Sequence, residues 1–152
     1  MHFTVDTMCG RLVSYLRFCG YDTEYIDERD AGDVEGLAGA IDRRGRTLVT
    51  RDARFAGLVD DAIHLRATAI EDQLEGLAQA GVSLDLPEVP VRCGRCNGRL
   101  EPTDPPGPDR PAYVPEELDE SLYRCRRCGQ YFWRGSHWDR VHELLGSIAS
   151  TR

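Results

Sequence analysis

The sequence predicts a mixed α/β protein in which a parallel sheet flanked by helices is followed by a small zinc ribbon and a C-terminal helix. Two observations support this fold class. Residues 1–86 alternate short β-type runs with helical runs, a pattern typical of a parallel sheet covered by helices. Two Cys-x-x-Cys pairs then follow within residues 87–152. We therefore expect two domains, 1–86 and 87–152, joined by a linker that contains Pro87 and Pro90.

The first domain contains four β-type runs, each followed by a helical run. The strands are expected at residues 3–6, 23–26, 47–50 and 62–65. The helices are expected from Met8 to Cys19, from an N-cap at Asp33 to Gly45, at residues 53–59, and from a capping box of Thr68 and Glu71 to Gly81. A final helix is expected after Ser136, because Val141, Leu144, Leu145 and Ile148 recur with a helical period.

Three aspartates follow strands of the predicted sheet. Asp6 and Asp52 come directly after the first and third strands, and Asp33 opens the helix after the second. Because ligands bind beyond the carboxyl ends of parallel strands, we expect these carboxylates at one edge of the sheet. Carboxylate oxygens are the ligands that Mg²⁺ and Mn²⁺ prefer. The alternative is that Asp33 and Asp52 are only helix caps. Weaker candidates are Asp27, Asp30 and Asp61, which the alternative places on a solvated acidic face.

The two Cys-x-x-Cys pairs predict a structural zinc site. Cys93, Cys96, Cys125 and Cys128 supply four thiolates, the ligand set of a closed tetrahedral Zn²⁺ site. The 28 residues between the pairs are rich in proline, which indicates an inserted loop. Two disulfides are the alternative, and the absence of a secretory signal at the N-terminus argues against them. For the same reason we expect a cytoplasmic protein, and no apolar run approaches membrane-spanning length.

Charge is distributed unevenly along the chain. The net charge is −7; residues 1–90 hold 9 arginines and 17 acids, whereas residues 91–152 hold 10 arginines and 9 acids. The acidic surplus argues against simple electrostatic binding of nucleic acid by the first half. In the second half Arg126, Arg127 and Arg134 alternate with aromatic residues, a composition that suits single-stranded RNA. The alternative is that the aromatic residues pack the ribbon against the sheet, with Trp133 or Trp138 buried.

Several motifs resemble a known fold. Asp6, Gly10-Arg11-Leu12 and Thr50-Arg51-Asp52 resemble the PIN-like nuclease fold. More narrowly, the two cysteine pairs and Trp133-Arg-Gly-Ser-His-Trp138 resemble the Mut-seven C-terminal RNase domain family, which joins a reduced PIN-like domain to a zinc ribbon. This resemblance implies Mg²⁺ or Mn²⁺ on Asp6, Asp33 and Asp52 and a phosphate contact for Arg11. Cys9 and the proline-rich loop over 102–115 depart from the family pattern.

These observations favour a metal-dependent ribonuclease whose substrate is RNA. Arg11 and Arg51 could each bind the scissile phosphate, or could instead neutralise the acidic residues through salt bridges. Two other interpretations remain open: a non-catalytic adaptor that binds RNA or protein on the same fold, and a zinc-ribbon partner within a larger protein complex.

Overall fold

The computed structural model describes residues 1–27 and 32–150. Its first sheet has four parallel strands in the order β2-β1-β3-β4. The strands are β1 (His2–Asp6), β2 (Asp22–Ile26), β3 (Thr47–Thr50) and β4 (Ala62–His64). The central strands β1 and β3 are almost wholly buried, as expected for a sheet covered on both faces.

Five α-helices accompany the two sheets in the described part of the chain. They are α1 (Leu12–Phe18), α2 (Val34–Arg43), α3 (Ala53–Leu58), α4 (Ile70–Gln79) and α5 (Ser136–Ser150). Phe3, Val5 and Val49 pack with α1, α4 and α5. Leu48, which neighbours Val49 in β3, packs with α2 and α3 instead. Alternation along the strands thus assigns three helices to one face and two to the other.

The C-terminal helix returns to the first sheet. Val141, Leu145 and Ile148 of α5 belong to the same hydrophobic cluster as Leu74 and Leu77 of α4. Their spacing of four and three residues places them on one face of the helix. The last segment of the chain therefore contributes to the core around β1. No helix in residues 1–27 and 32–150 has the length and apolar character needed to cross a membrane.

The ribbon forms a second, antiparallel sheet in the order β5-β6-β7. Its strands are β5 (Leu100–Thr103), β6 (Leu122–Cys125) and β7 (Tyr131–Phe132). The side chain of Asn97 accepts a hydrogen bond from the Thr23 N–H (3.0 Å) and donates one to Asp22 (2.9 Å). The buried Arg17 guanidinium bonds the carbonyl oxygens of Thr23 and Gly94. The Asn97 side chain of the ribbon thus satisfies a backbone N–H group on the outer edge of β2, which no other strand of the described residues covers.

The strands and helices predicted within residues 1–86, and the C-terminal helix, are present with three local corrections. The first helix begins at Leu12, because the Asp6 carboxylate accepts the Thr7 N–H and starts a 3₁₀ turn over Thr7–Cys9. The capping box is wrong: Ala69 occupies the N-cap of α4 and no side chain caps it. Ser136 lies inside α5, where the Gly135 carbonyl accepts the Asp139 N–H.

Candidate active site and metal centre

The candidate active site lies where the two central strands end. Asp6 is in register with Ile26 of β2, and Val5 pairs with Val49, one residue before Thr50. The helix that follows β1 packs on one face of the sheet and the helix that follows β3 packs on the other. The crevice between the carboxyl ends of β1 and β3 is therefore the topological switch point, the usual ligand position in such sheets.

Asp6 is a buried carboxylate at this switch point. It is 1 % exposed, and its two oxygens accept hydrogen bonds from the Thr7 N–H (2.8 Å) and the Thr50 hydroxyl (2.9 Å). Among residues 1–27 and 32–150, no arginine or histidine nitrogen lies within 4.0 Å of this carboxylate. Burial of a charge without an ionic partner is costly, so this position favours the approach of a cation.

Thr50 connects Asp6 to Asp52. While its hydroxyl donates to Asp6, the same oxygen accepts the Asp52 N–H at 3.0 Å. Asp52 in turn caps α3, since its Oδ1 accepts the N–H groups of Arg54 (2.9 Å) and Phe55 (3.3 Å). The capping role considered for Asp52 is therefore present. It uses one carboxylate oxygen and places the side chain beside the end of β3.

Asp33 occupies a more open position. It stands at the N-cap of α2, is exposed, and makes no capping hydrogen bond with its side chain, contrary to the capping interpretation. Its Oδ2 lies over Gly36, where a β-carbon would approach it to 2.4 Å. The first turns of α2 and α3 are joined by a salt bridge between Glu35 and Arg54 at 2.9 Å.

Of the weaker acidic candidates, Asp61 lies away from this site, whereas Asp27 follows Ile26, the β2 residue in register with Asp6. Asp61 accepts a hydrogen bond from the Thr47 hydroxyl at the amino ends of β3 and β4, the opposite edge from Asp6. Asp27 follows β2, and Asp30 lies outside the described residues. In the described ranges, the four ribbon cysteines are the only group of three or more His, Cys, Asp or Glu side chains gathered tightly enough to share one ion. The three aspartates form no such group there.

Asp6 and Arg51 both act electrostatically on the buried thiol of Cys9. Burial and then the Asp6 carboxylate raise the pKa of Cys9 to about 11, while the nearby Arg51 guanidinium opposes that rise. The Nε of Arg51 is buried and has no hydrogen-bond partner among the described residues. Arg11 is exposed at the start of α1. Neither arginine forms a salt bridge with a described acid, so the neutralising interpretation is not seen in this part of the chain.

The four ribbon cysteines form a compact group that could hold one metal ion. All four sulfurs lie within 4.8 Å of one another; Cys93 and Cys128 are 3.7 Å apart, and Cys96 and Cys125 are 3.4 Å apart. Tetrahedral Zn–S bonds of about 2.3 Å place sulfurs about 3.8 Å apart. A disulfide needs about 2.05 Å, and these thiols are free. The spacing fits zinc and contradicts the disulfide alternative.

Local backbone turns present these sulfurs. Asn97 and Gly129, each directly after the second cysteine of a pair, have left-handed backbones with φ of 72° and 79°. Burial raises the pKa of Cys93 to about 12. Although burial opposes it, the N–H groups of Cys128 and Arg127 lower the pKa of Cys125 to about 7. A bound Zn²⁺ would hold all four as thiolates.

The predicted arginines lie on the surface of the ribbon. Arg126, Arg127 and Arg134 are all exposed. Arg126 pairs with Glu101 at 2.8 Å, and Arg127 donates to the Cys96 carbonyl at 3.1 Å. Trp138 is buried, as expected for one of the two tryptophans.

The parallel sheet, the carboxylates at its switch point and the four-cysteine ribbon together define a PIN-like α/β protein completed by a zinc ribbon. Residues 1–145 match the family model of the Mut7-C RNAse domain, and the chain belongs to this family. This membership indicates a nuclease-like function. No curated protein and no solved structure matches the chain.

Sequence reasoning missed Thr50 as a functional residue. Its hydroxyl joins two of the predicted acids, and the only local signal was a β-branched hydroxyl residue at the end of a buried strand.

Proposed function

We propose that the protein is a cytoplasmic metal-dependent ribonuclease that hydrolyses phosphodiester bonds of single-stranded RNA at the crevice between β1 and β3. The observation that carries this proposal is the buried Asp6 carboxylate, which lies at the switch point without a cationic partner among the described residues. Membership of the Mut7-C RNAse domain family supports the choice of RNA as substrate.

The donor set suits Mg²⁺ or Mn²⁺. A carboxylate has about four lone-pair positions; Oδ1 of Asp6 faces both the N–H and the hydroxyl of Thr7, whereas Oδ2 accepts only the Thr50 hydroxyl among the described residues and keeps acceptor capacity. Asp6 and Asp52 would hold the cation, and Asp33 would join them from the first turn of α2. When bound, such an ion supplies Lewis-acid charge at the phosphate and promotes ionisation of water.

The surrounding residues fix this arrangement. Thr50 orients Asp6 through its hydroxyl and accepts the Asp52 N–H, so one threonine links the Asp6 carboxylate to the backbone of Asp52. The Nε of Arg51, which has no hydrogen-bond partner among the described residues, would offer a donor to a phosphate oxygen, and the exposed Arg11 at the start of α1 would offer a second cation. The ribbon holds Arg126, Arg127 and Arg134 on its surface, where they would bind the RNA backbone.

Asp52→Asn tests the metal site separately from the fold. Asparagine keeps the shape and can still cap α3, but it removes one charge. We expect an unchanged fold and zinc content, weaker Mn²⁺ binding by calorimetry, and cleavage reduced by at least about 10- to 100-fold, the usual cost of disturbing a metal site. The matched control is Asp109→Asn, which removes an exposed carboxylate far along the chain. Full cleavage by Asp52→Asn would contradict the proposal.

The non-catalytic adaptor is favoured by one observation: the three aspartates do not gather into a shared ligand group among the described residues. It predicts that the zinc-loaded wild-type protein binds single-stranded RNA yet leaves it intact in both Mg²⁺ and Mn²⁺. The ribonuclease proposal predicts cleavage under those conditions, so one assay separates the two.

A further inference from the structure

A cleft bounded mainly by aromatic rings lies where the ribbon meets the first domain. We call it the aromatic cleft; its rings are Phe18, Tyr113, Tyr131, Phe132, Trp133, His137 and Trp138. Its volume is about 210 Å³, below the roughly 300–1,000 Å³ of pockets for drug-sized molecules, so it suits a single planar ring system.

Several of these rings are not required by the core. Tyr113, Phe132 and Trp133 belong to neither of the two hydrophobic clusters formed by the described residues. Tyr113 is 46 % exposed, so its ring is accessible from solvent. The rings of Tyr113 and Trp133 are nearly parallel, with centroids 6.4 Å apart and an angle of 15°. They present aromatic faces beside an open cleft.

The cleft is held in shape before any ligand arrives. The Tyr113 hydroxyl accepts the Tyr131 N–H at 2.9 Å, which fastens the proline-rich loop to β7. The Trp133 indole lies against Gly135. A β-carbon at position 135 would come within 2.5 Å of the indole Nε1, so a larger residue would push the ring away. Pre-formed walls reduce the entropy that binding must overcome.

Polar and charged groups around the cleft indicate the chemistry of its ligand. The Gln130 amide, the Ser136 hydroxyl and the His137 ring line it and can bond the donors and acceptors on a base edge. Arg134, directly after Trp133, is exposed and has no salt bridge or hydrogen bond to any described residue. Arg124 lies over the Tyr131 ring at 5.2 Å. Rings for stacking beside arginines for phosphates are the composition of single-strand binding sites.

We infer that the aromatic cleft binds one base of single-stranded RNA, stacked on Trp133 and Tyr113, with Arg134 on the adjacent phosphate. This inference rests on the proposed function for its choice of RNA. A base within a duplex is covered on both faces by its neighbours, so the cleft selects single strands.

The test measures binding without cleavage. Zinc-loaded protein without added Mg²⁺ or Mn²⁺ is titrated with fluorescein-labelled octaadenylate, octauridylate and an abasic ribose-phosphate octamer, and anisotropy is recorded. We expect Trp133→Ala to weaken binding of the base-containing octamers by about 5- to 150-fold. Trp133→Phe, which keeps an aromatic face, should recover part of that loss. The abasic octamer should bind Trp133→Ala and wild type equally.

The inference is overturned if folded, zinc-loaded Trp133→Ala and Trp133→Phe bind the octamers as wild type does. It is also overturned if the abasic octamer suffers the same loss, or if a proline-rich peptide occupies the cleft and RNA does not. Cleavage of RNA is measured separately. If the protein cleaves RNA and Trp133→Ala binds RNA as wild type does, only the inference about the aromatic cleft is refuted. If RNA binding depends on Trp133 but no cleavage occurs, only the ribonuclease proposal is refuted.

Discussion

Asp22 predicts an acid dependence of stability that can be worked out from the structure. Its Oδ1 accepts hydrogen bonds from the guanidinium of Arg46 and from the Asn97 amide, each at 2.9 Å. The Arg46 side chain is 6 % exposed and also bonds the Phe3 carbonyl, so Asp22 compensates a buried charge inside the first sheet. The hydrogen bond from Arg46 lowers the pKa of Asp22 from 3.8 to about 2, and the bond from Asn97 adds to this effect. Burial acts in the opposite direction and raises the pKa.

We predict that Asp22→Asn lowers the free energy of unfolding at pH 7 by about 1–2 kcal/mol. One pKa unit corresponds to about 1.4 kcal/mol. The Asp22 side chain is 28 % exposed, and solvent screening reduces the free energy that the full pKa shift would give. Because the folded pKa is depressed, this stabilisation is complete above pH 3.8 and is lost as the pH falls through about 2. The difference between wild type and variant should therefore vanish toward pH 2.

Urea unfolding of both proteins at several pH values between 7 and 2 measures this difference. Zinc content is recorded at each pH, because Asn97, a partner of Asp22, directly follows Cys96. Asp109→Asn controls for the removal of an exposed carboxylate. Equal stability of wild type and Asp22→Asn at pH 7, or a difference that persists undiminished to pH 2, would refute the reasoning.

Three further outcomes follow from the same structure. Cys125→Ser should lose bound zinc and destabilise the ribbon, because metal binding in so small a module contributes directly to folding; zinc analysis and thermal unfolding measure both, and unchanged values would contradict the site. Arg126→Ala with Arg127→Ala should weaken single-stranded RNA binding and reduce its salt dependence, whereas Arg66→Ala with Arg140→Ala should not; identical affinity and salt slope would exclude this face. Thr50→Val should reduce cleavage while keeping the fold, since it removes the hydroxyl between Asp6 and Asp52; an unchanged rate would show that this link is dispensable.

Features encoded in local patterns could be predicted from the sequence. The strands follow from β-type runs, and the zinc centre follows from the spacing of Cys93, Cys96, Cys125 and Cys128, because two residues between cysteines let both sulfurs reach one ion. Asp6 and Asp52 were predicted as site residues because both follow predicted strands, and parallel strands place such positions at one edge.

Contacts between distant residues could not be predicted in this way. The bond from Thr50 to Asp6 joins residues 44 positions apart, and the bond from Asn97 to Asp22 joins residues 75 apart. No periodicity encodes such pairs. The capping box failed at the local level: α4 begins after Ala69, one residue later than a cap at Thr68 requires, and the Gln73 amide bonds the Ala67 carbonyl beside that turn.

The central claim is that the Asp6 carboxylate holds the cation that cleaves RNA, and Asp6→Asn tests it most directly. Asparagine preserves the shape and can still accept the bonds from Thr7 and Thr50, but it removes the buried negative charge. The measurement is single-turnover cleavage of a labelled single-stranded RNA in Mg²⁺ or Mn²⁺ by folded, zinc-loaded protein. We predict that wild type cleaves and that Asp6→Asn is slower by at least about 10- to 100-fold. Cleavage at the wild-type rate by the folded variant would contradict the account.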